Sequence, residues 1–106
     1  MLTFKQIKAN DVINIRHTVL KEGQPIEACH FEGDLDEGTK HFGAFLNSEL
    51  VGAVTMMAKK TNNYKVYPVF RLTGLSILPE HQHKNIGKRL LHFAEENISR
   101  KGSVMI

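Results

Sequence analysis

The sequence predicts an α+β fold in which a mixed, mostly antiparallel sheet is flanked by helices. Its segments follow the order strand, helix, several strands, helix, strand. A short polar connection between two strand-like runs predicts an antiparallel hairpin. A helix that leads from one strand to a final apolar segment predicts one parallel crossover. With 106 residues, we expect a single domain, 1–106.

The first half of the chain predicts one strand, one helix and an acidic loop. Residues 2–7 read as a short strand, and Asn10 or Asp11 is a suitable N-cap for the helix that follows. The apolar side of this helix carries Val12, Ile15 and Val19, with Ile13, Arg16 and Leu20 on an adjoining stripe. Gly23-Gln24-Pro25 ends it, and the acid-rich residues 26–40 predict a loop or a short helical turn.

The second half predicts a hairpin and a third long strand. Residues 41–46 and 50–58 are strand-like and flank the hairpin-length connection 47–49. Residues 66–77 read as the next strand, and Gly74 in its interior indicates a bulge or a close approach to the backbone.

A strongly periodic helix over residues 86–101 and a terminal strand over 103–106 complete the predicted fold. Gly102 lies where a C-terminal helix cap belongs. The apolar face of the helix comprises Ile86, Leu90, Leu91, Phe93, Ala94 and Ile98. Lys88, Arg89, Glu95, Glu96 and Arg100 lie on the opposite face.

Composition excludes several classes of protein. Apolar residues make up 42% and charged residues 24%, as in ordinary globular proteins. The longest uncharged run, 50–58, is too short to span a bilayer. The single cysteine, Cys29, forms no internal disulfide, so we expect a cytoplasmic protein. The net charge of +3 suits an anionic small ligand at least as well as nucleic acid, and we expect neither nucleic acid nor membrane as a partner.

The segment 82–88 is the strongest functional signal. It connects a strand-like run to the start of the periodic helix, where backbone N–H groups and the positive end of the helix dipole favour phosphate. Lys84, Lys88 and Arg89 add positive charge at the same end.

This segment resembles the acyl-CoA-binding motif of the GNAT (Gcn5-related) N-acetyltransferases, whose loop reads Gln/Arg-x-x-Gly-x-Gly/Ala. Gln82 and Gly87 match that motif, and Asn85 stands where the first Gly is usual. Asn tolerates left-handed backbone angles better than most other non-Gly residues. A second set of residues resembles a group of uncharacterised bacterial GNAT proteins and indicates no substrate: Ile15-Arg16-His17-Thr18-Val19-Leu20, Gln24-Pro25, Cys29, Phe31, Glu32, Gly33, Asp34, Asp36 and His41.

The resemblance implies a fold, an activity and a site. It implies acetyl-CoA as the acyl-donor cosubstrate and direct attack of a small amine on the thioester. The pantetheine arm is expected along the strand before the loop and the pyrophosphate on the loop amides. The residues implied are Leu75, Ile77, Gln82, His83, Lys84, Asn85, Ile86, Gly87 and Lys88.

Two departures from the family pattern concern the chemistry. The family fold continues with another helix and two strands, which often carry a Tyr that acts as general acid, and we expect this chain to lack them. A base is often carried on the strand before the loop, and the matching position is Arg71, which cannot accept a proton. No catalytic residue is therefore assigned.

Other side chains have alternative interpretations. His81 and His83 lie two apart but lack a surrounding ligand set, so we expect no metal. Cys29 beside His30 is expected to be an inert thiol. Residues 59–65 favour a solvated hairpin tip over a nucleic-acid contact. The acids that either bind a cationic acceptor or are simply solvated are Glu27, Glu32, Asp34 and Asp36.

Three functions follow from this interpretation. The first is an acetyl-CoA-dependent N-acetyltransferase acting on a small amine. The second is a truncated, catalytically weak or inactive CoA-binding scaffold that dimerises through an open sheet edge. The third is an interaction protein whose sheet pairs with a partner chain. A homodimer is expected because an unpaired edge at residues 103–106 is a template for pairing.

Overall fold

A computed structural model describes residues 1–59, 69–99 and 104–105. The elements are β1 (Leu2–Ile7), α1 (Ala9–Val19), β2 (Lys40–Leu46), β3 (Glu49–Lys59), β4 (Val69–Ile77), α2 (Ile86–Ser99) and β5 (Val104–Met105). Short 3₁₀ helices cover Ile26–Cys29 and Pro79–His81. The sheet order is β1-β2-β3-β4-β5, with antiparallel pairing from β1 to β4 and parallel pairing of β4 with β5. The predicted α+β fold class is confirmed.

The two helices cover opposite faces of the sheet. Side chains alternate between the two faces along each strand, so each helix packs on a different set of strand residues. On one face α1 packs in a small apolar cluster of Val12, Ile13, Ile15, Cys29 and Ala53. On the other face α2 packs in the larger core of Phe42, Ala44, Val51, Val54, Met56, Phe70, Ile86, Leu90, Ala94 and Ile98. The predicted apolar stripe of α2 is thus a core face.

The helix α1 begins earlier than the sequence predicts. Lys8 is its N-cap, and the Asp11 carboxylate accepts a hydrogen bond from the Lys8 backbone N–H at 3.0 Å. The predicted cap at Asn10 or Asp11 is therefore wrong. Asp11 is the third residue of the helix, and its carboxylate accepts the N-cap N–H as the acid of a capping box does.

The hairpin between β2 and β3 has a two-residue turn. Asn47 and Ser48 have φ of 51° and 75°, and Glu49 already pairs with Leu46. The predicted connection 47–49 is therefore one residue too long. Two consecutive left-handed residues match the right-handed twist of the flanking strands.

A bulge interrupts the pairing of β3 with β4, as Gly74 predicts. Thr55 pairs with Thr73 and Ala53 with Ser76, so Gly74 and Leu75 together lie opposite one residue of β3. Gly74 has φ of 66°, a conformation that costs other residues energy.

The remaining predicted elements concern the 26–40 loop, the terminal strand and the helix ends. Residues 26–39 form the predicted short helical turn and loop, and Lys40, expected in this loop, already begins β2. The terminal strand and its parallel crossover are confirmed at Val104–Met105. The predicted loop tip after Lys59, the first residues of the predicted strand 66–77 and the helix cap at Gly102 lie outside the described residues. Within the described part, no helix is both long and apolar enough to cross a membrane.

Candidate functional site

The predicted phosphate cradle, residues 82–88, lies between the 3₁₀ helix Pro79–His81 and the first turn of α2. Two of its residues are left-handed: His83 has φ of 64° and Asn85 has φ of 63°. Asn85 thus adopts the kind of conformation for which glycine is favoured, which accounts physically for Asn at the position where the family loop has its first Gly.

Backbone N–H groups at this helix start have no helical partner. The hydrogen-bond ladder begins with the Arg89 N–H donating to the Asn85 carbonyl at 3.1 Å, so the N–H groups of the preceding turn are left for another acceptor. The Gln82 side chain is not free for a ligand, because its Nε2 donates to the Ile77 carbonyl at 3.0 Å and ties the loop to the end of β4.

The side chains of the cradle differ in role. Ile86 is 5% exposed and belongs to the core, so only its backbone faces a ligand. Lys84 and Lys88 both lie exposed on the surface of the cradle. The helix dipole and these charges together favour an anion here.

The strand β4 approaches the cradle through Leu75 and Ile77. A Cβ built at Gly87 would lie 3.6 Å from Ile77 Cγ1 and 3.9 Å from Leu75 Cδ2. The described pairing of β4 with β5 is at Val69 and Phe70, away from this end of the strand. The structure therefore brings all nine predicted site residues to one end of β4 and α2.

Two grooves flank the helices elsewhere. One, of about 930 Å³, lies beside α1 and includes Lys5, Asn14 and Leu78 in its lining. Another, of about 710 Å³, runs along α2 and shares Asn85 and Lys88 with the cradle. Neither groove includes Leu75 or Ile77, so the site is defined by its backbone geometry rather than by a deep cavity.

A buried polar cluster on the α1 side of the sheet was not predicted. Arg16 is 0% exposed, and its guanidinium forms a two-pronged ion pair with Asp34 at 2.7 Å and 3.0 Å. Its Nη1 also donates to the Cys29 carbonyl at 2.9 Å, and its Nη2 to Thr55 Oγ1 at 2.7 Å. The Phe31 ring lies 3.9 Å from the guanidinium carbon. The signal available in the sequence was an arginine within the stripe that packs on the sheet.

His41 belongs to the same cluster. Its Nε2 lies 3.0 Å from the Asp34 carbonyl oxygen, which can only accept, so this nitrogen carries a hydrogen. Its Nδ1 lies 2.8 Å from Thr55 Oγ1. Both ring nitrogens are engaged, and His41 is only 4% exposed, so it is not a free general base.

Asp34 has a structural role and is not available to bind an amine substrate. Burial by itself raises the pKa of its carboxyl, but hydrogen bonds from Arg16 and the Phe31 N–H, with the positive charge of Arg16, outweigh burial and hold the pKa below its usual value. Of the four acids considered for an acceptor, Asp34 is therefore excluded, whereas Glu27 and Glu32 are exposed.

The other singled-out residues have structural placements. Cys29 is 0% exposed, which agrees with an inert thiol. Arg71 is exposed on β4 and supplies no base. Within the described ranges, no group of three or more His, Cys, Asp or Glu side chains is placed to hold a metal ion.

Comparison with known proteins agrees with this geometry. A sequence model described as the acetyltransferase (GNAT) domain matches residues 15–105. The uncharacterised N-acetyltransferase YitI of Bacillus subtilis (strain 168) is 28% identical over 102 residues, which cover 96% of this chain and 68% of that protein.

Solved structures share the fold. An aminoglycoside acetyltransferase from an uncultured soil metagenomic sample, in complex with sisomicin, superposes with a TM-score of 0.76 at 19% identity, covering 98% of this chain and 74% of that one. The enzyme AAC(6')-Iy in complex with a bisubstrate analogue, CoA-S-monomethyl-acetylneamine, gives 0.73 at 18% identity, covering 100% and 78%.

The domain match spans most of the chain and includes β4, the cradle and α2. The protein belongs to the GNAT acetyltransferase family. Acetyl transfer of the GNAT type is the activity that this membership supports.

Proposed function

We propose that this protein transfers the acetyl group of acetyl-CoA to the nitrogen of a small amine. The observation that carries the proposal is the cradle: two left-handed residues, His83 and Asn85, immediately before a helix whose first N–H groups have no helical partner. In the proposed complex the pyrophosphate rests on the amides of 83–88, because the Gln82 N–H already donates to the Pro79 carbonyl at 3.3 Å. The pantetheine arm follows β4 at Leu75 and Ile77. The CoA-derived analogue bound by AAC(6')-Iy supports this cosubstrate.

The proposed reaction is direct attack. The neutral amine nitrogen attacks the thioester carbonyl carbon, a C–N bond forms, and the C–S bond breaks. The nitrogen loses one proton, and the CoA thiolate takes one up. The contribution of this chain is chiefly to hold the thioester beside the amine, which by itself accelerates such a reaction strongly.

Proton transfer has no dedicated carrier among the residues discussed above. Arg71 cannot accept a proton, and Asp34 and His41 are buried with their hydrogen bonds formed. A general acid and a general base each contribute about 100-fold or more. We therefore expect slow turnover from the purified 106-residue chain.

A cationic acceptor fits the side of the sheet where Phe31 and the exposed Glu27 and Glu32 lie. The ion pair of Arg16 with Asp34 fixes the loop that carries these acids. The names of the two structural neighbours, both aminoglycoside acetyltransferases, support an amine as acceptor class.

Calorimetric titration with CoA and acetyl-CoA, followed by a turnover assay with a panel of amines, tests the proposal. We expect saturable binding of both ligands and slow release of CoA with some amines. Binding without turnover would instead support the CoA-binding scaffold, and no binding at all would refute both. Fast turnover would point to a further proton-transfer group, on the 27–36 segment or across a subunit interface.

A homodimer and a cytoplasmic location stay predictions. Sedimentation at micromolar concentration tests the first: a well-folded monomer would contradict pairing through an open sheet edge. Fractionation of cells that express the protein tests the second.

A further inference from the structure

The guanidinium of Arg16 touches the bulge in β4. A Cβ built at Gly74 would lie 3.2 Å from Arg16 Nε, 3.6 Å from Nη2 and 3.2 Å from Phe31 Cε2. A side chain at this position would be crowded by these atoms, and Gly74 is also left-handed, with φ of 66°, which strains other residues. The buried polar cluster and the bulge are therefore one packed unit.

One hydrogen-bond donor is left without a partner at this contact. Both Nη atoms of Arg16 are hydrogen-bonded, whereas its buried Nε has no partner among the described residues. An orphaned buried donor is costly and rare. The guanidinium packs against β4 although this leaves Nε without a hydrogen-bond partner. This cost is consistent with a contact that positions the strand.

The bulge is also held by a hydrogen bond within β4. Ser76 Oγ donates to the Gly74 carbonyl at 3.0 Å, so this carbonyl is fixed within β4 itself. Leu75, the next residue, lies in the bulge and has no partner residue on β3. Its backbone is one of the groups to which the proposed function gives the acyl-pantetheine.

We propose that Arg16 is a positioning residue for acetyl transfer. Its guanidinium, with the Phe31 ring stacked on it, holds Gly74 in the left-handed conformation and so fixes the peptide of Leu75 for the thioester carbonyl. This inference rests on the proposed function. Lysine cannot replace arginine here, because an ammonium lacks both the planar stacking surface and the fork that binds Asp34 at two points.

The sequence allows the two halves of the site to be observed separately. Gly74-Leu75 is the only Gly-Leu pair in the chain, and Ile86-Gly87 is the only Ile-Gly pair. Labelling with ¹³C-carbonyl glycine and ¹⁵N-leucine therefore isolates the Leu75 amide by NMR. Labelling with ¹³C-carbonyl isoleucine and ¹⁵N-glycine isolates the Gly87 amide in the cradle.

In the parent protein we expect CoA to shift both amides and acetyl-CoA to shift Leu75 further. In Arg16→Lys the Gly87 response and the CoA Kd should stay within about twofold of the parent. The Leu75 resonance should move in the free protein and no longer distinguish acetyl-CoA from CoA. Loss of one hydrogen bond to the acetyl carbonyl predicts an about 3- to 10-fold weaker preference for acetyl-CoA over CoA.

Two further variants separate positioning from stability. Phe31→Leu removes the stacked ring while the Arg16–Asp34 pair remains, and it should reproduce the Leu75 effect if Arg16→Lys fails to fold. Ile98→Val removes one methyl group from the α2 core, at the end of α2 away from the cradle and on the other face of the sheet from Arg16, so it should lower the melting temperature and leave both amide responses unchanged.

The outcomes are distinguishable. A folded Arg16→Lys or Phe31→Leu protein whose Leu75 amide responds as in the parent would overturn the positioning role alone. A parent protein whose Gly87 amide does not respond to CoA would overturn the proposed function, and the positioning role with it.

Discussion

Substitution of Gly87 separates the stability of α2 from ligand binding. Gly87 is the second residue of α2 and is not left-handed. An alanine Cβ would meet Ile77 and Leu75 at ordinary contact distances of 3.6 Å and 3.9 Å. Because alanine is a better helix former than glycine, Gly87→Ala should raise the free energy of unfolding by about 0.5 kcal/mol.

A larger side chain at position 87 should weaken CoA binding. A β-branched side chain in Gly87→Val crowds the space between α2 and β4 and the approach of a phosphate. Loss of one charge-assisted hydrogen bond costs about 1.5–3 kcal/mol, or about 10- to 150-fold in Kd. Lys88→Ala removes an exposed surface charge, which predicts at most about a fivefold loss in CoA affinity.

Calorimetric CoA titration and thermal melting of the same preparations measure both effects. Glu95→Val is the matched control, because it places the same side chain at an exposed position two turns further along α2. It should destabilise the helix slightly and leave the CoA Kd unchanged. Equal CoA affinity of Gly87→Val and the parent would refute the role of the cradle.

Three other predictions follow from the buried cluster and the cradle. Arg16→Met should lower the free energy of unfolding by about 3–5 kcal/mol, because it leaves the Asp34 carboxylate unpaired. In urea unfolding, the double variant with Asp34→Leu should lose less stability than the sum of the two single changes, and additive losses would contradict a coupled pair. The pKa of Asp34 is lowered in the folded protein, so its contribution to stability is fully present above about pH 4 and is lost as pH falls through the folded pKa. Asp34→Asn should therefore flatten the acid side of a stability profile measured between about pH 6 and pH 3, and an unchanged slope would contradict the shift. Asn85→Gly should preserve both the melting temperature and the CoA Kd, whereas Asn85→Ala should lower stability by about 1 kcal/mol because φ is 63°, and equal melting temperatures would argue against this strain.

The sequence predicted the features that depend on neighbouring residues. Gly74 inside an apolar run indicates the bulge, and Asn85 is a residue type compatible with the left-handed position before α2. Both are backbone properties set by one or two residues. The cradle is predictable for the same reason, since its donors are backbone groups and its order along the chain is its order in space.

The polar cluster was beyond sequence reasoning because its members are distant along the chain. Arg16 and Thr55 are separated by 39 positions, and Arg16 and Asp34 by 18. Acidic residues in a loop are usually solvated, and nothing local marks Asp34 among its neighbours as the one that is buried. The N-cap of α1 was predicted at the wrong residue for a local reason. Asp11 accepts a hydrogen bond from the Lys8 N–H as the third residue of the helix, and an aspartate is equally common as the N-cap itself.

The two halves of the candidate site thus differ in how they are held. The cradle is a backbone feature of one continuous segment, whereas the opposite side is assembled from α1, the 26–39 loop, β2 and β3 around the guanidinium of Arg16. That guanidinium binds the loop at the Asp34 carboxylate and at the backbone carbonyl of Cys29. The second contact does not depend on the side chain of residue 29. The exposed carboxylates of Glu27 and Glu32 are not part of this network. Because the anchor and the exposed side chains are separate, the surface offered to an acceptor can vary while the loop and the bulge at Gly74 stay in place.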